Sequence, residues 1–137
     1  MTRTALLLAG VGMVSWGVWA MFADLATRTL DPAVAMVISY LAGIGIAVGY
    51  IASQGLSPTL SGVGVGYAVA GGLFSGVGAV SYYAALQYGA SGIVTTVTAL
   101  YFVVAAVLGA VFLGESVGLR DAAAIALAVG AVALLST

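Results

Sequence analysis

The stretch GVGVGYAVAGGLFSGVGAVSYYAAL, residues 62–86, decides the fold class of this chain. It has no charged residue and is rich in glycine. In water, so many glycines would argue against a helix, because each one loses much conformational freedom on folding. In lipid the backbone must satisfy its own hydrogen bonds, so a helix of this length crosses the bilayer. The stretch therefore predicts a transmembrane helix that other helices can approach closely.

The composition of the whole chain indicates that its solvent is lipid. Of the 137 residues, 64% are hydrophobic and only 5% are charged, and the mean hydropathy is +1.26. A soluble domain carries about 25% charged residues, so this chain lacks the side chains to cover a surface that faces water. We expect an all-α, multi-pass integral membrane protein of the cell (plasma) membrane.

The residue types that are missing restrict the chemistry. The chain has no cysteine and no histidine, and its net charge is −1. Disulfides, imidazole catalysis and the common nitrogen or sulfur metal sites are therefore not expected. Paired catalytic carboxylates, phosphate-binding loops and a basic patch are also missing from the sequence. We expect no enzymatic activity, no cofactor, no metal and no nucleic-acid partner.

Further apolar runs lie on both sides of residues 62–86. The five predicted spans cover residues 4–23, 33–53, 62–86, 93–113 and 121–136, the last being the shortest, and together they form one domain, 1–137. The first run has an alternative interpretation as a signal peptide. It is, however, longer than the apolar core of about 7–15 residues in such a peptide, and it contains Trp16 and Trp19.

An odd number of spans places the two ends of this unit on opposite sides of the membrane. A second copy must then be inverted or stand apart, and inversion is the arrangement of inverted-repeat transporters. With the N-terminus inside, Arg3 and Arg120 lie on the cytoplasmic side and Arg28 lies outside. This distribution has almost no positive-inside bias, so it permits dual topology and an antiparallel homodimer.

Small residues four positions apart recur in the spans and let helix backbones approach closely. The predicted helix-packing residues are Gly45 with Gly49, Gly72 with Gly76, and Ala105 with Gly109, and Ser39 with Gly43 has the same spacing. With 20 glycines, such pairs also arise by chance. They predict a compact bundle and leave open whether each pair contacts its own chain or a second one.

Aromatic and hydroxyl side chains supply the candidates for a substrate cavity. Trp16 and Trp19 lie on one face of the first span, although Trp19 also fits an interfacial belt. Tyr101 lies at mid-depth, where an unpaired phenol costs about 1–3 kcal/mol. The candidates are Trp16, Trp19, Ser75, Tyr82, Tyr83, Gln87, Thr98 and Tyr101. For tyrosine the alternative is an interfacial anchor, and for threonine a bond to its own helix.

Acidic residues are missing from the middle of every predicted span. No carboxylate is therefore placed to carry protons through the hydrocarbon. Glu115 follows Leu113 and Gly114, where its charge can reach water, headgroups or the start of the next helix. We expect a structural role for Glu115 rather than a coupling role.

Short motifs in the second half of the chain, and one in the first span, carry a family resemblance. They are ALQYGAS at 85–91, ALY at 99–101, FLGE at 112–115 and Trp16-Gly17. Together they resemble the EamA-type repeat of the drug/metabolite transporter superfamily over nearly the whole chain. Two positions differ from the family pattern. Phe102 stands where a proline is frequent, so a helix kink is not predicted there, and Asp24 is the nearest charge to the place of a basic residue late in the first helix.

The resemblance implies both an architecture and an activity. Familiar members have ten helices, made of two five-helix repeats in opposite orientation around a central substrate cavity. This chain would supply one repeat, and a second copy or a partner half would supply the other. The implied activity is alternating-access transport of small metabolites, such as amino acids or other amphipathic solutes. The first four helices of each repeat form most of the cavity, which fits Trp16, Tyr82 and Tyr101.

Two other functions stay open at this point. A small multidrug-type exporter also works as an antiparallel pair of short chains, but that family has a glutamate in its first helix and this chain has none there. The other alternative is a non-transporting membrane subunit whose glycine-rich helices pack against a larger partner. For a transporter, aromatic and hydroxyl linings suit neutral or zwitterionic solutes better than strongly charged ones.

Overall fold

The structure is a computed structural model that describes residues 2–135, and the regular secondary structure in this range is entirely helical. The helices are α1 (Arg3–Thr27), α2 (Pro32–Ser53), α3 (Gly62–Ala85), α4 (Ser91–Ala99), α5 (Tyr101–Phe112) and α6 (Leu119–Leu135). Within residues 2–135, four segments are long and apolar enough to cross a membrane: α1, α2, α3, and α4 together with α5. The predicted all-α membrane fold is confirmed.

The predicted fifth span corresponds to α6. This helix has 17 residues, which is at the lower limit of the roughly 17–25 residues that a spanning helix needs. Ser136, the last residue of the predicted span, lies outside the described residues.

Polar side chains and two glycines set the helix ends. The side chains of Thr2, Asp31 and Ser61 accept hydrogen bonds from backbone N–H groups in the first turns of α1, α2 and α3. Such caps satisfy donors that the helix itself leaves free. After α2 and α5 the chain turns at Gly55 (φ 59°) and Gly114 (φ 67°). Both lie in the left-handed region, where glycine avoids the clash of a side chain with the backbone.

The described residues form two compact units that divide between Tyr88 and Gly89. Unit 1 contains α1, α2 and α3, and unit 2 contains α4, α5 and α6. The single domain over 1–137 remains a prediction.

The buried apolar side chains of unit 1 lie at one end of its three helices, which we call the packed end. They are Ala20 and Ala23 of α1, Ala35 of α2, Ala79, Tyr82 and Tyr83 of α3, and Leu86 just beyond it. Alanine lets helix backbones approach, and the tyrosine rings fill the space between them. Packing is therefore provided by small residues together with large ones.

The opposite end of the same helices, which we call the open end, comprises residues 3–16, 44–53 and 62–74. None of these residues is buried. A Cβ added at Gly45, Gly49 or Gly72, or at Gly76 just past this region, would meet no atom within 4 Å. Within unit 1, no described atom therefore fills the Cβ space beside these four glycines. Their packing role remains a prediction, and it requires a second surface.

The fourth span is divided at Leu100. The Leu100 N–H donates to the Val97 carbonyl at 3.1 Å, and the Val103 N–H donates to the Leu100 carbonyl at 2.9 Å. Each of these hydrogen bonds joins residues three positions apart, as in a 3₁₀-helix, whereas an α-helix joins residues four positions apart. The fourth span, predicted over 93–113, is thus made of two helices that meet at Leu100, although Phe102 occupies the place of the frequent proline.

The chain after α5 folds back on that helix. The backbone N–H groups of Leu113 and Glu115 both donate to the Gly109 carbonyl, at 3.0 and 3.1 Å. The Glu115 carboxylate lies over Gly109, in the space that a Cβ at that position would occupy. Of the predicted pair Ala105 and Gly109, the glycine is buried and contacts this side chain. The contact is the kind expected of a structural Glu115.

Candidate functional site

Three aromatic rings meet at the packed end of unit 1, and we call them the aromatic cluster. The rings of Trp19 and Tyr82 are stacked, with centroids 5.0 Å apart and planes inclined by 24°. Tyr83 meets both of them edge to face, at 5.8 Å from Trp19 and 6.0 Å from Tyr82. Both arrangements match the charge distribution of aromatic rings, whose faces are negative and whose edges are positive. The cluster joins α1 to α3.

Local sequence explains why the rings can meet. Ala20 and Ala23 of α1 and Ala79 of α3 are buried beside the cluster residues in sequence. Small side chains at these positions allow the two helices to approach until the rings touch. Two successive tyrosines on α3 project about 100° apart, so they contact Trp19 in two different orientations.

Hydrogen bonds tie α2 to both neighbouring helices. The Trp19 indole Nε1–H donates to Ser39 Oγ at 3.0 Å. The next residue, Tyr40, shares a hydrogen bond between its hydroxyl and Ser75 Oγ at 3.1 Å. Successive helical residues project about 100° apart, so Ser39 reaches α1 while Tyr40 reaches α3. We call these two bonds the hydroxyl bridge.

The aromatic cluster and the hydroxyl bridge are made of uncharged side chains. The nearby ion pair, at 2.7 Å, joins Asp24 near the end of α1 to Arg28 just after that helix, and the Arg28 side chain is exposed. An exposed pair of this kind contributes little to stability. The site therefore offers ring faces, ring edges and hydroxyl groups, without a fixed charge.

Metal binding has no support among the described residues. They contain no group of three or more histidine, cysteine, aspartate or glutamate side chains that could hold an ion. Buried side-chain nitrogen and oxygen atoms in this part of the chain all have a hydrogen-bond partner. At the site, Trp19 is paired with Ser39 and Tyr40 with Ser75.

The structure brings together three of the eight predicted cavity residues, Trp19, Tyr82 and Tyr83. Ser75 belongs to the hydroxyl bridge at the seam of α2 and α3. The remaining four are exposed: Trp16 (64%) on α1, Gln87 after α3, and Thr98 and Tyr101 (56%) on either side of Leu100 in unit 2. Contact of any of the eight with substrate remains a prediction.

Sequence reasoning missed Ser39 and Tyr40 as site residues. The spacing of Ser39 and Gly43 indicated helix packing, and Tyr40 was not considered. A usable signal was present, because two adjacent hydroxyl side chains interrupt an otherwise apolar segment of the second span. In lipid, such groups need hydrogen-bond partners, and adjacent positions point to different neighbouring helices.

Unit 2 contains a shallow cleft of about 280 Å³ beside the turn after α5. Phe102 and Ile125 line it with apolar surface, while Glu115 and Asp121 contribute carboxylates. The Asp121 carboxylate also accepts a hydrogen bond from the Gly118 N–H at 2.9 Å and so caps α6. Both acids therefore have structural contacts within unit 2.

Apolar helices of spanning length, joined by buried aromatic rings and hydroxyl bonds, define a multi-pass helical membrane protein. The chain belongs to the EamA-like transporter family, whose model matches residues 3–137. The match confirms the resemblance to the EamA repeat of the drug/metabolite transporter superfamily over nearly the whole chain. Neither a curated protein nor a solved structure matches the chain significantly.

Proposed function

We propose that this chain is one half of an alternating-access transporter in the plasma membrane that moves small neutral or zwitterionic solutes, such as amino acids. The observation that carries the proposal is the uncharged aromatic cluster with its hydroxyl bridge, inside three apolar helices of a transporter-family chain. A solute can reach the half-buried Trp19 with its apolar body and the exposed hydroxyls of Tyr40 and Ser75 with its polar groups.

The charge distribution supports the solute class. All seven charged residues lie at or near the ends of the apolar runs, and the site itself is made of aromatic rings and hydroxyl groups. A strongly charged solute would lose its hydration without gaining a counter-ion at the site. A neutral or zwitterionic solute avoids this cost, because its own charges are absent or compensate each other.

The second half of the transporter is, in this proposal, an antiparallel copy of the same chain. A Cβ at Gly45, Gly49 or Gly72 would meet open space, and the arginines do not fix one orientation. Inversion would place the packed end of one copy at the same membrane face as the open end of the other. Each face would then have one packed and one open end, which is the symmetry that alternating access requires.

Uptake by purified protein in liposomes tests the transport activity. The panel is radiolabelled phenylalanine, leucine and alanine, with glutamate and arginine as charged comparisons. We expect saturable uptake of phenylalanine, leucine and alanine, whose side chains are uncharged, and little uptake of glutamate and arginine. Trp19→Ala should reduce uptake more than Trp16→Ala, because only Trp19 is in the aromatic cluster. Folded protein that moves none of the five solutes would instead favour the non-transporting subunit.

Cysteine labelling tests the antiparallel assembly, and the chain has no native cysteine to interfere. Thr2→Cys and, on the opposite face, Thr29→Cys are labelled in separate samples of intact cells with a membrane-impermeant maleimide. Dual topology predicts that about half of the molecules are labelled in each sample. Labelling of one variant alone would rule out the antiparallel homodimer.

A further inference from the structure

We propose that Ser39 is a positioning residue of the aromatic cluster, which acts on solute binding by fixing the orientation of the Trp19 indole. The inference rests on the proposed function and names a residue that acts through another one. Ser39 lies on α2, whereas the three rings of the cluster lie on α1 and α3. Its effect therefore has to pass through the hydrogen bond to Trp19.

The geometry around Trp19 fixes its ring from three directions. The Nε1–H is held by Ser39 Oγ at 3.0 Å. One face lies against Tyr82, with the planes 24° apart, and Tyr83 meets the ring at 68°. Stacking alone lets a ring slide or turn in its own plane, while a hydrogen bond at one edge removes that freedom. Ser39 thus supplies the restraint that the other two rings do not.

The surroundings make this bond hard to replace. An indole has a single polar hydrogen, and in an apolar environment it must find an acceptor. If Ser39 loses its hydroxyl, the indole has to turn toward another oxygen or leave its N–H unpaired. Either outcome disturbs the stack on Tyr82, so the ring surface offered to a solute changes.

The neighbouring hydrogen bond holds Ser39 itself in place. Tyr40, the next residue, is bonded to Ser75 of α3 at 3.1 Å. This bond ties α2 to the helix that carries Tyr82 and Tyr83. The two adjacent residues of α2 therefore connect all three helices at the site, and the position of Trp19 relative to the tyrosines depends on both.

The orientation of the indole is measured by NMR of protein labelled with ¹⁵N at its two tryptophans. Trp16→Phe identifies the Trp19 signal. We expect slower hydrogen exchange for Trp19 than for the exposed Trp16, and an increase of about three- to tenfold in the Trp19 exchange rate in Ser39→Ala, the factor that the loss of one hydrogen bond gives. Ser39→Thr keeps a hydroxyl group and should show the wild-type exchange rate of Trp19.

The matched control is Ser53→Ala on the same helix. Ser53 donates to the carbonyl of Tyr50 within α2, at 2.8 Å, and is exposed. Its replacement should leave the Trp19 signal and the uptake kinetics unchanged. If Ser39→Ala does not yield folded protein, Ser39→Cys takes its place. The thiol is similar in size to the hydroxyl and is a weaker acceptor, so the Trp19 exchange rate should rise by a smaller factor than the one expected for Ser39→Ala.

Phenylalanine uptake then shows whether the orientation matters for binding. Ser39→Ala should raise KM about three- to tenfold with little change in the maximal rate, which corresponds to one lost hydrogen bond. Trp19→Phe keeps an aromatic ring and removes the donor. In that background Ser39→Ala should have no further effect, because the two residues act through one bond.

Three results separate the proposals. If the Trp19 exchange rate in Ser39→Ala equals that of the wild type, the positioning role is wrong. An equal loss of uptake from Ser39→Ala in the wild-type and Trp19→Phe backgrounds also overturns it, because Ser39 would then act independently of the indole. If the wild-type protein takes up no solute of the panel, the proposed function fails, and the NMR result still decides whether Ser39 positions the indole.

Discussion

At the packed end of unit 1, alanines and tyrosines are buried, whereas at the open end of the same three helices no residue is buried and most glycines would meet no atom if they carried a Cβ. Helix α3 shows the contrast within one element. Its first half carries Gly64, Gly66 and Gly71, and its second half carries Ala79, Tyr82 and Tyr83. Both halves are apolar and helical, yet only the second half is packed against α1 and α2 within the chain.

The difference shows what drives packing between helices in lipid. Hydrophobicity does not distinguish the two halves, because lipid tails are as apolar as the side chains. What remains is dispersion between surfaces that fit, together with hydrogen bonds between helices. The packed end has large rings that fit beside alanines and a tryptophan N–H with an acceptor. The open end has smooth glycine surfaces and needs another surface to fit them.

The largest effect is expected from Tyr83→Ala at the packed end. Tyr83 is 1% exposed, so its removal leaves a cavity among α1, α2 and α3. We expect a loss of about 3 kcal/mol in the free energy of unfolding. The control is Tyr67→Ala on the open half of α3, where the ring is 77% exposed and the change should stay within about 0.5 kcal/mol. Unfolding in mixed micelles measures both, and equal losses would remove the distinction between the two ends.

Overfilling the packed end should have the next largest effect. Ala79→Leu adds bulk where α3 approaches its neighbours, and Ala79 is buried. A cost of about 2 kcal/mol is expected, because the helices or the rings have to shift. Ala68→Leu makes the same change at an exposed position of α3 and should be tolerated. Thermal unfolding in detergent compares the two variants, and a tolerated Ala79→Leu would show that the packed end is loose.

Loss of the hydrogen bond at the boundary between the two ends should have a smaller effect. Tyr40→Phe removes the hydroxyl that is bonded to Ser75 and keeps the ring. The expected cost is about 1 kcal/mol, the net contribution of one hydrogen bond. Tyr50→Phe makes the same change on α2 at an exposed ring of the open end. If the two variants unfold alike in mixed micelles, the bond does not hold α2 to α3.

The smallest effect on the chain itself is expected from Gly72→Ala. A Cβ at this position meets no atom within 4 Å, so no clash is expected, and the free energy of unfolding of one chain should rise by only about 0.5 kcal/mol, because alanine loses less conformational freedom in a helix than glycine does. In an antiparallel homodimer that covers the open end, the same methyl group would push the second copy away. Energy transfer between labelled chains in liposomes should then show weaker association than in the wild type.

Gly78→Ala is the matched control for that experiment. Gly78 lies on the same helix but at the packed end, and a Cβ there also meets nothing within 4 Å. Weaker association in Gly72→Ala alone would locate the second copy at the open end. If both variants associate as strongly as the wild type, the open end faces lipid and is not covered by a second copy.

Much of the fold follows from the sequence without any tertiary information. Apolar runs of spanning length, and the shortage of charges, require helices in lipid, because the backbone has no other way to satisfy its hydrogen bonds there. The motifs at 85–91 and 112–115 indicated the family that the match over 3–137 confirms. The choice of Trp19, Tyr82 and Tyr83 as candidates also came from the sequence, because Trp19 shares a helix face with Trp16 and the two tyrosines lie together near one end of the third span.

Tertiary structure decided which of the candidates belong together. Trp16 and Trp19 share a helix face and lie less than one turn apart, yet only Trp19 contacts the tyrosines. The small buried alanines allow the helices to approach closely at that end. The division of the fourth span at Leu100 without a proline depends on hydrogen bonds that the sequence pattern does not reveal.

Glycine spacing was the least informative signal. It describes a surface that another helix can approach, while the position of that helix is set by the rest of the bundle. The sequence by itself determined that this chain is a set of lipid-spanning helices of a transporter family. Only the tertiary structure decided that one end of unit 1 is packed and hydrogen-bonded and the other is open, because contact between helices in lipid depends on the fit of two surfaces, and a sequence specifies each surface separately.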